Sequence, residues 1–235
     1  MRKWIRASIL AGLTLAAAAL PARAQATRQF GVIAGVDFAN FYGGNVGTLV
    51  NPGVPGTVTE GSLTGFLGGL YLAIPFGDGH YMLEPELLYE GKGAKYDISA
   101  TLPTGTVTGD LTLDLEYISV PVLLRYNFDP AQGPYLLAGI SANFNVTCKG
   151  SWGGGLTDVV SAAGEPTEPD CADLQTSTGG ELKAQTTFGG VAGAGFRKDR
   201  FGLEARYDFD MGDAYQDVSG VKNEAWEILV RYMIK

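Results

Sequence analysis

Apolar and polar residues alternate one by one through most of this chain, and this alternation restricts its fold more than any other feature. At residues 201–211 the apolar members are Phe201, Leu203, Ala205, Tyr207, Phe209 and Met211, and Glu204, Arg206, Asp208 and Asp210 lie between them. A period of two residues is typical of a β-strand with two unlike faces. The same pattern predicts eight strands, at residues 29–41, 62–76, 80–92, 112–128, 134–147, 183–197, 200–212 and 224–234.

The lengths of the connections distinguish between two β folds that this alternation allows. In a soluble barrel or sandwich the apolar face is the core, whereas in a membrane barrel it contacts lipid and the polar face lines the lumen. The seven connections contain about 20, 3, 19, 5, 35, 2 and 11 residues, so long and short ones alternate. We therefore expect an eight-stranded antiparallel up-and-down transmembrane β-barrel with short periplasmic turns and long external loops.

Aromatic residues lie at both ends of the expected strands. Near the short turns are Phe30, Phe76, Tyr81, Tyr126, Phe128, Phe196, Phe201 and Tyr232. Near the long loops are Phe38, Phe41, Tyr89, Tyr117, Phe144, Phe209 and Trp226. Two such belts are expected where aromatic rings meet the two lipid interfaces, which indicates the bacterial outer membrane.

Pro85 and Pro121 each remove a backbone donor inside a strand, so we expect a bulge or irregular pairing there.

Residues 1–24 have the composition of a secretory signal peptide. Arg2, Lys3 and Arg6 precede the apolar stretch 7–20, and Ala22-Arg23-Ala24 follows it. This order predicts cleavage between Ala24 and Gln25, so that residues 25–235 form the barrel domain. The alternative is a membrane anchor, but the stretch is shorter than the roughly 20 residues that a spanning helix needs.

The net charge of the chain limits the classes of partner that it is expected to bind. Removal of the signal peptide changes the formal net charge from −8 to −12, because it carries Arg2, Lys3, Arg6 and Arg23. An acidic chain repels phosphates, so no nucleic acid is expected as a partner.

Cys148 and Cys171, as the two cysteines of an exported chain, predict a disulfide. One histidine and two cysteines are too few for a zinc site, and we expect no metal or other cofactor.

Five segments carry a resemblance to a known family. They are residues 31–40 (GVIAGVDFAN), 85–94 (PELLYEGKGA), 117–126 (YISVPVLLRY), 134–139 (PYLLAG) and 203–207 (LEARY). Together they resemble the PorT-type outer-membrane β-barrel family, over essentially the whole chain after the signal peptide except its loops. The resemblance implies the barrel fold, and through the namesake members a gliding and secretion machinery. It implies no particular activity.

The polar face of the strands predicts a network of charges inside the barrel. Its members are Glu84, Glu86, Arg125, Glu204, Arg206, Glu227 and Arg231. Antiparallel pairing predicts that Glu204 lies near Arg231 and that Arg206 lies diagonal to Glu227, and Arg125 could pair with Glu84 or Glu86. A barrel of eight strands is narrow enough to be filled by its own side chains. The alternative is a narrow polar pore or a small-ligand pocket.

The long loop at about residues 149–182 is the expected binding surface. It contains Trp152, the cysteine pair and five acids, namely Asp158, Glu165, Glu168, Asp170 and Asp173. One hypothesis is a calcium or partner site, although the acids lack the spacing of an EF-hand loop. The other is a solvated, mobile loop.

Enzymatic interpretations find little support in the sequence. His80 has no evident nucleophile partner, the glycines of residues 189–195 lack the βαβ context of a nucleotide loop, and Asn145 opens a glycosylation sequon that we attribute to chance. We therefore expect a non-catalytic envelope protein whose external loops have a structural, adhesive or partner-binding role. A component of a transport or secretion machinery is the alternative. The expected partners are outer-membrane lipid, the barrel-assembly machinery during insertion and a protein that binds the loops.

Overall fold

The strands close into a ring in the order in which they follow one another along the chain. The computed structural model describes residues 28–43, 55–174 and 182–235, so the predicted signal peptide and its predicted cleavage site lie outside the described residues. The strands are β1 (Gln29–Tyr42), β2 (Gly56–Phe76), β3 (Tyr81–Leu102), β4 (Gly105–Asn127), β5 (Gly133–Gly154), β6 (Thr187–Lys198), β7 (Phe201–Asp210) and β8 (Lys222–Met233). Between β5 and β6 lie the helix α1 (Gly155–Ala162) and a short 3-10 helix (Cys171–Asp173). β1 pairs with β8 and closes the barrel, which confirms the predicted fold.

The two faces of each strand identify which side meets lipid. The apolar side chains of the barrel wall point outward and are exposed, with Phe66 at 78% and Ile140 at 67%. The charged side chains point inward and are buried, with Glu84 at 0% and Arg206 at 1%. Water outside the wall would penalise this arrangement, whereas hydrocarbon outside the wall favours it. No helix in the described parts of the chain is long and apolar enough to cross a membrane.

β3 and β4 are much longer than the sequence pattern predicted. The expected loop of 19 residues between them is instead a hairpin, in which the two strands remain paired as far as Leu102 and Gly105. β2 and β5 extend alongside this hairpin, to Gly56 and Gly154. Four strands therefore continue as a sheet beyond the membrane wall, and the 19 residues predicted as a loop are paired strand.

The polarity of the two faces reverses where β3 leaves the membrane. Within the wall most of its inward positions are charged, ending with Glu90 and Lys92. Beyond the wall the same inward positions are apolar and buried, at Ala94, Tyr96 and Ile98. The orientation of the strand does not change, but the medium outside it changes from lipid to water. The reversal therefore marks the outer boundary of the membrane.

The two strand prolines interrupt pairing without shifting it. Between Pro85 and Leu88 the β3–β4 ladder lacks partners, yet the register is the same on both sides of the gap. The register shifts lie elsewhere, between Ser62 and Leu67 in β2 and at Glu116 and Tyr117 in β4. The irregular pairing expected at the prolines is therefore present, and the bulges occur at other positions.

Candidate functional site

A layer of ion pairs crosses the lumen on its periplasmic side. It joins Glu84 and Glu86 of β3 and Arg125 of β4 to Glu204 and Arg206 of β7 and Arg231 of β8; we call these six residues the ion-pair layer. Arg206 donates two hydrogen bonds of 2.7 Å to Glu86 and another to Glu204. All six side chains are buried. Buried charges persist only when they are paired and hydrogen bonded, and this layer satisfies that requirement.

The remaining contacts of the layer fix Arg125 and Arg231. Arg125 donates to Glu84 at 2.8 Å, and Arg231 donates to Glu204 at 2.8 Å. The Nη2 atom of Arg231 also lies 2.5 Å from Glu84 Oε1. The Arg231 guanidinium stacks over the Tyr71 ring, with 4.2 Å to its centroid. Each charge thus has more than one contact, and the layer fills the cross-section of the barrel.

Inward glycines provide the space for this filling. A Cβ atom on Gly195 would lie 2.3 Å from Cζ of Tyr135, whose hydroxyl donates a 2.7 Å hydrogen bond to Glu204. A Cβ atom on Gly31 would lie 2.5 Å from the Tyr71 ring. Real atoms do not approach this closely, so both positions require the absence of a side chain.

The sequence-predicted network is brought together except for Glu227. Glu204 lies next to Arg231 and Arg125 pairs with Glu84, as expected. Arg206, however, binds Glu86 and Glu204 and not Glu227, although Glu227 is its direct partner in the β7–β8 register. Arg206 reaches across the lumen to β3 instead of along its own wall.

A second charged layer lies on the outer side of the first and contains Glu227. It consists of Asp37 of β1, Glu90 and Lys92 of β3, Asp208 and Asp210 of β7, and Glu227 of β8, all buried; we call it the acid layer. Lys92 lies 3.0 Å from Glu90 and 3.1 Å from Asp208. Asp210 accepts hydrogen bonds from Asn143, Thr187 and Asn223. The layer thus contains five carboxyl groups and one ammonium group, which contacts two of them.

The predicted site residues did not include the other members of the acid layer. The alternation placed Asp208 and Asp210 on the polar face, Asp37 lies between the apolar Val36 and Phe38, and Lys92 has the same parity as Glu84 and Glu86. This position on the polar face of each strand is the sequence feature that could have identified them as interior residues. Which charges form a layer depends on strand tilt and register, and the sequence alone does not provide these.

An apolar cluster closes the outer end of the lumen. It includes Tyr96 and Leu113 of the β3–β4 hairpin and Tyr215 of the β7–β8 connection, all at least 99% buried. The Tyr215 ring meets Phe41 of β1 edge to face at 5.7 Å. Asn223 links the cluster to the acid layer, because its side chain donates to both the Tyr117 hydroxyl and Asp210. The external parts of the chain therefore have a core of their own.

A disulfide joins the β5–β6 connection to the outer end of β5. Cys148 near the end of β5 is bonded to Cys171 of the 3-10 helix, 23 residues later. Gly150 and Trp152 of β5 donate backbone hydrogen bonds to Pro169 and Thr167 of the same connection. Leu156, Cys171 and Leu182 are buried in the apolar cluster. The described part of the loop at residues 149–182 is therefore anchored at these three residues, although most of its side chains between Asp158 and Asp173 are exposed to solvent.

The surface of this external structure is acidic. We call residues 56–62, 93–115, 147–174, 182–186 and 212–221 the outer lobe. It contains eleven acidic residues and three basic ones. Among the described residues, the carboxyl groups of the β5–β6 connection do not converge; the three carboxyl groups that do converge are Glu90, Asp208 and Glu227 of the acid layer. The outer lobe therefore presents a broad negative surface, and no calcium loop is formed by the acids at 158–173.

The periplasmic opening is a blind vestibule. A cavity of about 410 Å³ is lined by Gln29, Met82, Pro130 and Met233. Beyond it, the space bounded by Arg125, Arg231 and Tyr135 is only about 10 Å³, enough for a single water molecule.

His80 lies in the β2–β3 turn, and its Nδ1 is 2.7 Å from the carbonyl oxygen of Asn127. The glycines at 189–195 lie on β6 and not in a phosphate-binding loop.

Family comparison agrees with this architecture. The model of the outer membrane protein beta-barrel domain family matches residues 23–216. The chain belongs to this family. Membership places the protein in the bacterial outer membrane, with lipid around its apolar wall. No curated protein sequence matches the chain.

Solved structures of other outer-membrane barrels share a general similarity with the chain. Ail, the attachment invasion locus protein of Yersinia pestis, in complex with the heparin analogue sucrose octasulfate, is 11% identical, with 88% of this chain and 99% of Ail covered and a TM-score of 0.41. Neisserial surface protein A is 18% identical, with 86% and 96% covered and a TM-score of 0.41. The translocator domain of the autotransporter NalP from Neisseria meningitidis is 14% identical, with 96% and 95% covered and a TM-score of 0.31.

Proposed function

We propose that this protein is a non-catalytic scaffold that presents its outer lobe to a positively charged macromolecular partner outside the cell. The observation that carries the proposal is the outer lobe itself, a four-stranded sheet with its own apolar core and a disulfide, raised above the membrane wall. Loops on rigid barrels commonly carry binding functions, and a packed lobe loses less entropy on binding than a mobile one. Its excess of acidic residues favours a cationic partner and disfavours polyanions.

The filled lumen favours a scaffold function and disfavours a pore. Three barriers follow one another: the ion-pair layer, the acid layer and the apolar cluster. We expect pure protein in planar lipid bilayers to show no steady, large openings. Such openings would exclude the filled scaffold and favour the narrow-pore alternative.

Co-purification from native outer membranes tests the binding role. The test variant neutralises four exposed acids of the outer lobe, Asp158→Asn, Glu165→Gln, Glu168→Gln and Asp173→Asn. The control substitutes two acids of the periplasmic turns, Asp129→Asn and Asp199→Asn. We expect a partner that the wild type retains at low salt, that high salt releases, and that only the outer-lobe variant loses. Retention of the same partners by all three proteins would contradict the proposal.

A role in a transport or secretion machinery is the second candidate. We propose the PorT-type branch of the family from the residues at 31–40, 85–94 and 117–126, and the namesake members imply such a machinery. Periplasmic and inner-membrane secretion proteins that co-purify independently of the outer-lobe charges would favour this candidate.

We also propose that residues 1–24 are removed on export and that the barrel-assembly machinery inserts residues 25–235. The basic start, the short apolar segment and the Ala22-Arg23-Ala24 site support cleavage. N-terminal sequencing of protein from outer membranes should begin at Gln25. Depletion of the assembly machinery should reduce the amount of folded protein in the membrane.

A further inference from the structure

We propose that the acid layer binds one hard divalent cation, calcium or magnesium, inside the barrel through Glu90, Asp208 and Glu227. One carboxylate oxygen from each of these three residues lies within 4.8 Å of the other two. The residues come from β3, β7 and β8, so they meet only when the barrel is closed. Carboxylate oxygens are the ligands that calcium and magnesium prefer.

The charge balance of the acid layer requires additional positive charge. Asp37, Glu90, Asp208, Asp210 and Glu227 face Lys92 as their single basic neighbour within the layer. Asp210 is stabilised by neutral donors, the side chains of Asn143, Thr187 and Asn223. The other four carboxylates together with Lys92 carry a formal charge of −3. Burial of this much unbalanced charge is strongly unfavourable, and a divalent cation would reduce it to −1.

Asp37 is an independent indication that a ligand belongs in this layer. It is not one of the three converging groups, it is 99% buried, and both of its carboxylate oxygens lack a hydrogen-bond partner. It lies directly opposite Glu227 in the β1–β8 register, and Oε2 of Glu227 also lacks a partner. Buried polar atoms are almost always hydrogen bonded, so adjacent unpartnered carboxylates point to a bound cation. Asp37 would ligate the ion directly or through a water molecule.

Lys92 is compatible with the ion and does not replace it. Its ammonium group contacts Oε1 of Glu90 and Oδ1 of Asp208, which leaves the second oxygen of each carboxylate available. Glu227 has no ion pair with Lys92, and neither has Asp37. The lysine thus balances one part of the layer, and the part bounded by Asp37 and Glu227 remains for a second cation.

The position of the layer implies a trapped ion. The ion-pair layer lies below it, and the apolar cluster with Tyr117 and Tyr215 lies above it. An ion enclosed in this way would enter while the barrel folds and would exchange slowly afterwards. We therefore expect it to survive gel filtration in a chelating buffer.

Metal analysis of the full-length barrel in detergent tests the proposal. We compare protein refolded with calcium and magnesium against protein refolded with EDTA, and measure bound metal by inductively coupled plasma mass spectrometry. We expect about one calcium or magnesium ion per chain after refolding with metal, and a higher unfolding temperature than for the EDTA sample. Glu227→Gln and Asp37→Asn should lose the ion and this temperature difference.

A matched control is Glu165→Gln, which removes an exposed acid of the outer lobe and should retain the ion. If Glu227→Gln does not fold, the comparison of the two wild-type samples still decides the question. Metal-free wild type with the same unfolding temperature in EDTA and in calcium would overturn the proposal. In that case, an increase in stability as the pH falls would show that protons occupy the layer instead. Equal ion retention by Glu227→Gln and wild type would overturn the assigned site.

Discussion

Arg206 and Glu86 are joined by two parallel hydrogen bonds of 2.7 Å, although they belong to β7 and β3 on opposite walls of the barrel. This contact spans the lumen and links residues that are 120 positions apart. Two parallel bonds between a guanidinium and a carboxylate fix both groups in one plane. The pair therefore holds the walls at a fixed separation, which the hydrogen-bonded ring alone does not do.

Substitution of Arg206 tests the importance of the ion-pair layer. Arg206→Met leaves Glu86 and Glu204 buried with less compensation, and loss of one partner from a buried pair costs about 3–5 kcal/mol. We expect the free energy of unfolding in urea to fall by that amount in lipid vesicles. Arg200→Met, at an exposed turn, is the control and should change stability little. Equal effects of the two substitutions would contradict the role of the layer.

Gly195 tests whether glycines make room for the interior side chains. Gly195→Ala places a Cβ atom against the Tyr135 ring and should displace the hydroxyl from Glu204. Overpacking of this kind costs about 1–3 kcal/mol, which urea unfolding would measure. Gly202→Ala is the matched control, because its Cβ atom would have an ordinary contact of 3.5 Å with Arg231. Similar stability of the two variants would show that the interior adjusts without cost.

The disulfide should stabilise the outer lobe more than the wall. On the chain-entropy model, a cross-link that closes a loop of this size contributes about 3 kcal/mol. The double variant Cys148→Ser and Cys171→Ser should therefore be cut by protease within residues 149–174 at concentrations that leave the wild type intact. The heat-dependent gel shift of the folded barrel should remain. Cleavage within β6 or β7 of the double variant would instead show that the disulfide supports the wall.

Asp114 should make the stability of the outer lobe depend on pH. Partial burial, with the nearby Glu116 carboxylate as a second cause, raises the pKa of Asp114 above its ordinary value. A raised pKa in the folded state means that the folded protein binds the proton first, so this group adds stability as the pH falls through that pKa toward 3.8. Asp114→Asn removes the penalty at neutral pH and should raise the urea midpoint at pH 7.

The same variant should lose its advantage over the wild type as the pH falls through the raised pKa of Asp114, which a comparison of pH 7 with pH 4 measures. Asp158→Asn, at an exposed position of α1, controls for the general loss of negative charge. An advantage of Asp114→Asn that is equal at pH 7 and pH 4 would exclude titration of Asp114 as the cause.

The alternation of residues and the lengths of the connections together were sufficient to predict the barrel, its eight strands and the orientation of its apolar face toward lipid. The period of two residues records which residues share a face, and the sorting of short and long connections distinguishes a membrane barrel from a soluble fold. Cys148 and Cys171 were also available from the sequence, because an exported chain with two cysteines has only one pairing within it.

The sheet above the membrane was missed for a physical reason. The prediction treated the end of the polar-inward pattern at Lys92 as the end of the strand. In fact the strand continues with apolar residues inward from Ala94 onward, because water has replaced lipid on its outer face. A change in which face is apolar is therefore a sign of a membrane boundary, even where glycines such as Gly91 and Gly93 lie at the change.

The partners inside the lumen could not be predicted in full, because they depend on tilt and side-chain length as well as register. Arg206 and Glu227 are direct neighbours on adjacent strands, whereas the sequence predicted a diagonal placement. The long arginine side chain instead reaches β3, where Glu86 offers both carboxylate oxygens. In a barrel this narrow, the opposite wall competes with the adjacent strand.

The β3–β4 hairpin extends far above the membrane surface. From Gly93 to Leu102, ten residues at about 3.3 Å each give roughly 33 Å of strand, or about 25 Å of height with the tilt usual in such barrels. Its turn at Pro103-Thr104 is then among the first parts of the molecule that an approaching cell, virus or antibody meets. A short peptide inserted at this turn would be displayed well above the lipid without altering the register of the sheet.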